Sequence, residues 1–343
     1  MAMDKSAADA YVYAKASGML AKSYVGSRSK NLFNTHSLAE LWNLLFRKEV
    51  PVVPETLLAK ELEKEAQRNF LSQYLKLLNN YSKPEKLLIS LVHFYDYDNL
   101  KELGAALALG EKQMPAITDT KPYSLINYEK WPDLKSMTAE SPLSWYNEVP
   151  DLLNQSQLDY KLDCQYIEEI WNAAKKVDSS CRKAVLALLG NKFRMDNAIW
   201  ALRLKIYYGM DNETIESHLA YSDPSSGKQD YLVQEALTVL EWDVDDYEKW
   251  KTWKYSALLN PHEEGVVWSV DPRWISNAYR RMYVEEAYRL FHLYPFTACP
   301  LVCWFIIKQN ELDNIRTASE SLRLNISSSQ AMELAGVSEV KNG

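Results

Sequence analysis

The feature that most constrains the fold is a segment that occurs three times: an apolar run, then an Asp-Asn pair, then a second run rich in apolar residues. The three pairs are Asp98-Asn99, Asp196-Asn197 and Asp313-Asn314, which are 98 and 117 residues apart. Eleven or twelve residues after each Asn stands a residue that tolerates the left-handed conformation at a helix end, namely Gly110, Gly209 and Asn325. This spacing predicts three similar units of about 100 residues each.

The chemistry of the pair predicts its structural role. Short Asp and Asn side chains bond backbone groups at helix caps and kinks, where longer side chains fit less well. We therefore expect each pair to cap or kink equivalent helices, and Gly110, Gly209 and Asn325 to end the helix that follows. If the Asn314 amide is buried and fully hydrogen-bonded, Asn314→Leu should cost about 1–3 kcal/mol of stability.

The rest of the sequence favours an all-α fold. Only 10 of the 343 residues are Gly, and because the usual share is about 7%, tight turns and bulges must be few. Apolar residues recur at helical spacing after the helix-opening Pro54, at Leu58, Leu62, Ala66, Phe70 and Tyr74. Only residues 50–53 and 266–270 show even a weak strand-like pattern.

We expect one helical protein of three units, at approximately residues 51–150, 151–260 and 261–343, the last completed by N-terminal helices in 1–50. The stretch from 115 to 150 carries five of the 13 prolines together with Trp131, Trp145 and Tyr146. That composition predicts a long connection that is packed against the helices by its aromatic side chains.

The segments around the three Asp-Asn pairs resemble the C subunit of V/A-type rotary ATPases, called subunit d in eukaryotes. The third copy is the most similar, because Lys308, Glu311, Asn314 and Ile315 match that family's C-terminal Lys-x-x-Glu-x-x-Asn-Ile pattern. The Leu-Arg that usually follows the motif is kept only at Leu202-Arg203. The candidate motif residues are Asp98, Asn99, Asp196, Asn197, Lys308, Glu311, Asp313, Asn314 and Arg316.

The resemblance implies three helical subdomains around a pseudo-threefold axis, which together form a funnel-shaped socket. In that family the funnel receives the axle subunits of the central stalk, of the D and F types, and its opposite face sits on the membrane proteolipid ring. The implied role is a rotor subunit that couples axle to ring for proton or sodium transport, without catalytic activity, cofactor or metal of its own. It would be cytoplasmic and peripheral to the membrane.

Composition excludes several other functions. The formal net charge of −7 argues against nucleic-acid binding, which needs a basic surface. The sequence has no glycine-rich phosphate loop, so direct nucleotide binding is not expected. Four cysteines in a chain of this length indicate a reducing, cytosolic setting. The longest nearly uncharged stretch, residues 293–307, contains two prolines and is shorter than the roughly 20 residues of a membrane-spanning helix.

Two other interpretations stay open. An unrelated helical scaffold of the solenoid type would have a peptide-binding groove. A magnesium-dependent helical enzyme would use the acidic cluster of residues 241–248 around Asp245, although the carboxylate spacing of known magnesium motifs is not met. Cys299 and Cys303, four residues apart, are expected to be buried thiols rather than metal ligands. Trp242, Trp250 and Trp253 are expected to anchor their segment against the body, although an exposed aromatic cluster would also suit a partner.

Overall fold

A computed structural model describes residues 3–151, 153–263 and 265–337. These residues form α-helices, short 3₁₀ turns and loops but no β-strand, apart from an isolated bridge between Met3 and Tyr81. The prediction of an all-α fold is confirmed, and the strand-like residues 50–53 and 266–270 form no strand. None of the helices in the described residues has an apolar run long enough to cross a bilayer.

In chain order the helices are α1 (Lys5–Leu20), α2 (Lys30–Phe33), α3 (Leu38–Leu45), α4 (Glu55–Leu78), α5 (Lys86–Ala108), α6 (Leu134–Thr138), α7 (Gln155–Ala174), α8 (Ser179–Tyr208), α9 (Asn212–Glu216), α10 (Gln234–Leu240), α11 (Tyr247–Trp250), α12 (Pro272–Leu293), α13 (Cys299–Arg323) and α14 (Ser328–Leu334). The 3₁₀ turns are Gly26–Ser29, Tyr128–Lys130, Pro224–Gln229 and Ser256–Leu258.

The chain divides into two compact units, and the first combines Met1–Pro84 with Val244–Gly343. Its central element is α13, which packs against α12, α4 and α1. The five apolar residues predicted to line one face of α4 are all buried. Two of them meet α13 through aromatic contacts: the rings of Phe70 and Trp304 stack with centroids 5.7 Å apart, and Tyr74 lies 6.0 Å from the same indole.

The second unit is Glu85–Asp243. Here α5 packs on α7, α7 on α8, and α8 on α10. Two copies of the repeated motif lie in this unit, on α5 and α8, whereas the third lies on α13 of the first unit. The organisation into three equivalent units stays a prediction.

The proline-rich connection between α5 and α7 packs on its helices through aromatic residues, as predicted. The indole of Trp145 donates a hydrogen bond to Gln165 Oε1 on α7 (2.6 Å), whereas that of Trp131 donates to the Lys112 carbonyl within the connection itself (3.2 Å). Tyr146 is buried in a cluster with Leu100 and Leu103 of α5. The connection therefore covers one face of α5 along much of its length.

Gly104 allows this close approach, and its replacement gives a first prediction. A Cβ on Gly104 would collide with the hydroxyl of the buried Tyr146 and would lie 3.1 Å from Pro150 Cγ. We expect Gly104→Ala to destabilise the protein by about 1–3 kcal/mol, because a rigid aromatic ring must move to make room. Urea unfolding measures this. Gly18→Ala on α1 is the control, since its added methyl meets no atom within 4 Å and should stabilise by about 0.5–1 kcal/mol. Equal effects of the two substitutions would contradict the prediction.

The predicted helix ends are confirmed. Gly110, Gly209 and Asn325 all have positive φ, at 74°, 61° and 55°. Gly209 directly follows α8, and Gly110 and Asn325 each come one residue later, after the C-cap residues of α5 and α13. The prediction was that each Asp-Asn pair caps or kinks a helix; none of the three pairs caps a helix, and a kink stays a prediction. All three pairs lie inside single continuous helices of 23, 30 and 25 residues, α5, α8 and α13. In a helix interior the local backbone groups are already bonded along the helix, so an Asn side chain there bonds groups of another segment.

Candidate functional site

The two members of each Asp-Asn pair face opposite ways. The three asparagines are buried, at most 4% exposed. Asp98 is exposed, and the side chains of Asp196 and Asp313 keep 48% and 37% of their accessible surface. Neighbouring residues project about 100° apart around a helix, so one member of a pair can face the interior while the other meets solvent. The Asn of each pair, and not the Asp, therefore lies in the packed interior.

Asn99 and Asn197 make the same arrangement, which we call the amide bridge. The Oδ1 atom of Asn99 accepts the backbone N–H of Thr118 at 3.0 Å, and its Nδ2 donates to the carbonyl of the same Thr118 at 2.8 Å. Asn197 bonds both backbone groups of Ala220 in the same way, with both distances 2.8 Å. An amide bridge pairs a helix side chain with the backbone N–H and C=O of one residue in a non-helical segment, as a neighbouring strand would.

Each bridging Asn holds its segment at a second point. Asn99 Nδ2 also donates to the hydroxyl of Tyr128 at 2.7 Å, and Asn197 Nδ2 to the carbonyl of Leu232 at 2.9 Å. These partners lie ten and twelve residues beyond the bridged peptides. In both copies a single Asn side chain thus hydrogen-bonds two separate positions of the segment that packs over the same helix face.

The residue three positions before each Asn is charged and lies on the same helix face: Asp96, Arg194 and Glu311. Asp96 is fully buried and accepts hydrogen bonds from Thr120 Oγ1 (2.8 Å), Leu125 N (2.8 Å) and Tyr128 Oη (2.8 Å). Burial raises the pKa of its carboxyl, while the bonds from Leu125, Thr120 and Tyr128 oppose that rise. Asn99, Tyr128 and Asp96 therefore form one continuous network.

The corresponding residue of the second copy, Arg194, binds α10. Its Nη2 lies 3.0 Å from Oε2 of the buried Glu235, and its guanidinium stacks over the ring of Tyr231 at 4.8 Å. A buried, hydrogen-bonded ion pair of this kind is strongly disrupted when one partner is removed. The second copy uses an ion pair where the first uses a hydrogen-bonded carboxyl.

In the third copy Lys308 and Glu311 are both buried and form an ion pair. Lys308 Nζ donates to the carboxylate of Glu311 and to Ser23 Oγ (2.9 Å), and Glu311 Oε1 accepts the backbone N–H of Tyr24 (2.5 Å). This ties α13 to the segment that follows α1. Asn314 is equally buried, yet in the described part of the chain its Oδ1 accepts no hydrogen bond.

The other motif residues lie at the surface. Asp196 pairs with Lys192 one turn earlier on α8. Arg316, about half exposed, lies 3.8 Å from Asp313 and 3.9 Å from Glu63. Exposed pairs of this kind contribute at most about 1 kcal/mol each, so these residues are available for contacts outside the chain at little cost to the fold.

The sequence profile of the ATP synthase (C/AC39) subunit family matches residues 10–334. The chain belongs to this family. The resemblance seen in the motif segments is confirmed, and the match takes in all three of them. A protein of Treponema pallidum (strain Nichols), described only as uncharacterized, is 28% identical over 324 residues, which are 94% of each chain.

Members of this C/AC39 family are subunits of a rotary ATPase complex. The acidic residues Asp243, Asp245 and Asp246 are exposed, and Asp246 caps α11 by accepting the N–H of Lys249 at 3.0 Å. Trp250 and Trp253 are buried, as predicted for anchors. Cys299 and Cys303 are fully buried thiols with their sulfurs 3.7 Å apart, also as predicted.

Sequence reasoning named Glu311 but missed Asp96 and Arg194, the charged residues three positions before Asn99 and Asn197, although the sequence contains a signal for them. The Lys-x-x-Glu-x-x-Asn spacing of the third copy, applied to the other two, selects His93, Asp96 and Asn99 and then Asn191, Arg194 and Asn197. Each set lies on one helix face because residues three and four apart are neighbours there. That alignment identifies Asp96 and Arg194 without a structure.

A second buried network, centred on Glu169 of α7, has no sequence signal. His93 Nδ1 lies 2.7 Å from Glu169 Oε1, and His93 Nε2 lies 3.0 Å from the Tyr123 carbonyl. Both partners of His93 are oxygen atoms, so the ring lies between a carboxylate and a backbone carbonyl. Ser90 Oγ also donates to Glu169 Oε1, at 2.7 Å. Burial pushes the pKa of Glu169 upward, but His93 and Ser90 outweigh burial and hold it below the ordinary 4.5.

This network predicts a pH-dependent contribution to stability. A carboxyl whose pKa is lower in the folded state stabilises the fold above its unfolded pKa, and that contribution is lost as the pH falls through the folded value. We expect Glu169→Gln to cost about 1–3 kcal/mol at pH 7 and progressively less below about pH 4.5. Urea unfolding across this pH range tests it. Glu168→Gln, the exposed neighbour on α7, is the control, and a cost for Glu169→Gln that does not change with pH would contradict the assignment.

Proposed function

We propose that this chain is the central-stalk subunit that couples the axle of a V/A-type rotary ATPase to the proteolipid ring of its membrane sector. The observation that carries the proposal is the family match from residue 10 to residue 334. Its partners would be axle subunits of the D and F types on one side and the ring on the other. The chain would be peripheral to the membrane on its cytoplasmic side, and it would transmit rotation for proton or sodium transport without an active site of its own.

Three long helices that are held to neighbouring segments by buried polar contacts suit a subunit that transmits torque. A coupling subunit must move as a rigid body, since twisting within it would dissipate the rotation. The amide bridges at Asn99 and Asn197 fix non-helical segments to α5 and α8, and the Lys308–Glu311 pair fixes another to α13. Fully satisfied buried polar networks rigidify the structure that contains them. Rigidity of this kind supports the proposed role.

We further propose that the three motif copies mark three equivalent units, arranged around a pseudo-threefold axis as a funnel-shaped socket. The same two-bond arrangement at Asn99 and Asn197 supports equivalence of the first two copies. The Gly or Asn with positive φ that follows α5, α8 and α13 supports equivalence of all three. In this arrangement the exposed Asp98, Asp196, Asp313 and Arg316 would be available for contacts with partners.

The charge of the chain suits the proposed position. Its net charge is −7, and the cytoplasmic loops of membrane proteins carry an excess of Lys and Arg. Opposite charges on the two faces would speed assembly and favour the correct orientation more than they would raise affinity.

Purification of the tagged chain from gently solubilised native membranes tests the proposal. We expect axle subunits and the proteolipid ring to co-purify, with near one copy of this chain per complex by quantitative mass spectrometry. In the reconstituted complex, omission of the chain should leave ATP hydrolysis but abolish ATP-driven ion transport, and adding it back should restore transport. A Glu168→Gln chain, altered only at an exposed side chain of α7, is the control and should restore transport fully.

Two results would overturn the proposal. A chain recovered alone, from cells whose rotary ATPase is assembled and active without it, would show that the chain has another role. Ion transport that continues at the full rate in a complex lacking the chain would show that coupling does not depend on it.

A further inference from the structure

A cleft of about 330 Å³ lies beside the buried pair of Lys308 and Glu311 in the first unit. Its walls come from the C-terminal ends of α1 and α3, from the second half of α4 and from the middle of α13. Of the fifteen described residues that line it, eight are apolar or aromatic, among them Phe46, Leu312 and Ile315. This size, and an apolar lining with a few polar groups, are typical of a site for a small molecule.

The charged residues of the cleft favour an anionic ligand. Three lysines and one glutamate line it, so its lining carries an excess of positive charge. Lys22 follows α1 and Lys76 lies in the last turn of α4, and both are exposed. Among the residues that the structure describes, neither of these two lysines takes part in an ion pair. Two cations without counter-charges at one cleft attract an anion.

Lys308 adds a buried cation with a hydrogen-bond donor to spare. Its ammonium group has three N–H donors, of which one bonds the Glu311 carboxylate and another bonds Ser23 Oγ. No third acceptor for it lies within the described parts of the chain. Both oxygens of Glu311 are already occupied, Oε2 by Lys308 and Oε1 by the backbone N–H of Tyr24. The buried pair can therefore donate one more hydrogen bond, while its carboxylate is held by the protein.

We propose that this cleft binds a small organic carboxylate, whose anionic group lies among Lys22, Lys76 and Lys308 and whose apolar body packs on Phe46 and Ile315. The lining favours a carboxylate over a phosphate. Phosphate groups are typically bound by arginine side chains and by helix N-termini, and neither contributes to this cleft, in which α1, α3 and α4 present their C-terminal parts. The proposal does not depend on the complex to which the chain belongs.

Methyl NMR of the full chain, with labelled Ile and Leu side chains, tests this proposal. Octanoate and 4-phenylbutyrate are the probes. We expect each to shift the methyl signals of Ile315 and Leu312 in a saturable way and to leave Ile215, which is buried in the second unit, unchanged. Octanamide has the same apolar chain without the charge, and it should bind at least about tenfold more weakly than octanoate.

Two double variants locate the anionic group. Lys22→Gln combined with Lys76→Gln should weaken octanoate binding about tenfold. Lys60→Gln combined with Lys83→Gln is the matched control, because it changes the net charge equally at exposed lysines of the same unit that do not line the cleft. It should leave the affinity unchanged.

Four results would each overturn the inference. The first is the absence of a saturable shift at Ile315 with either carboxylate up to about 10 mM. The second is octanamide binding as tight as that of octanoate. The third is tighter binding of octyl phosphate than of octanoate, and the fourth is an equal loss of affinity in the two double variants.

Discussion

Glu311→Gln is expected to lower the free energy of unfolding by about 3–5 kcal/mol, the largest single-residue effect we predict. Lys308 and Glu311 are only 6% and 5% exposed. Gln keeps an oxygen that can accept a hydrogen bond, but removing the carboxylate charge leaves the buried Lys308 ammonium without the counter-charge that Glu311 supplies. A buried charge without its counter-charge cannot recover the water that it gave up on folding, and this loss sets the size of the effect.

A double-mutant cycle separates the pair from the rest of the site. Lys308→Met should also be strongly destabilising, since Glu311 would then be the uncompensated charge. The combined Lys308→Met and Glu311→Gln chain should be more stable than either single variant, because no unpaired charge is left. Urea unfolding of the four chains gives the coupling energy. Asp196→Asn, in the half-exposed pair with Lys192, is the control and should cost less than about 0.5 kcal/mol. Additive single effects would contradict a coupled pair.

Much of the helical framework could be predicted from the sequence because its causes are local. The four-residue spacing of Leu58, Leu62, Ala66, Phe70 and Tyr74 places them on one face, and α4 buries all five. Left-handed helix ends need Gly or Asn, so Gly110, Gly209 and Asn325 could be located in advance. The aromatic residues of the proline-rich connection were also sufficient to predict that it packs on the body.

The position of the Asp-Asn pairs could not be predicted by the same reasoning. Asp and Asn are only slightly unfavourable in a helix interior, so their presence does not decide between a helix boundary and a continuous helix. The structure shows continuous helices because the Asn amide finds its partners far away in sequence, at Thr118 and Ala220. No local pattern shows that a peptide 19 or 23 residues downstream will return to the same helix face.

The buried charged residues show a second limit of prediction from the sequence. Asp96 and Arg194 lie three residues before their asparagines and could be found by superimposing the copies, but their partners differ in kind. Asp96 binds the hydroxyl and amide groups of a connection, whereas Arg194 binds Glu235 of α10. The contact between His93 and Glu169 joins residues 76 positions apart. Such pairings depend on the tertiary fold, which composition and periodicity do not specify.

Asn99→Leu and Asn197→Leu are each expected to cost about 1–3 kcal/mol, because each leaves a backbone N–H and a carbonyl of a packed segment without partners. The loss of stability should be confined to the bridged segment, so amide hydrogen exchange, which reports on single residues, is the most informative measurement. In Asn99→Leu the Thr118 amide, which donates to Asn99 Oδ1, should exchange about 5- to 150-fold faster. In Asn197→Leu the Ala220 amide should behave in the same way.

The two variants control for each other. Asn99→Leu should leave the Ala220 amide as slow as in the unchanged chain, and Asn197→Leu should leave the Thr118 amide slow, because each bridge serves its own segment. Asn314→Leu should cost the isolated chain less than either, since no hydrogen bond to Asn314 Oδ1 is lost. The cost of about 1–3 kcal/mol expected from the sequence assumed a fully hydrogen-bonded Asn314, and the smaller cost is expected instead. Equal costs for all three substitutions would mean that burial alone, and not backbone pairing, determines what these asparagines contribute.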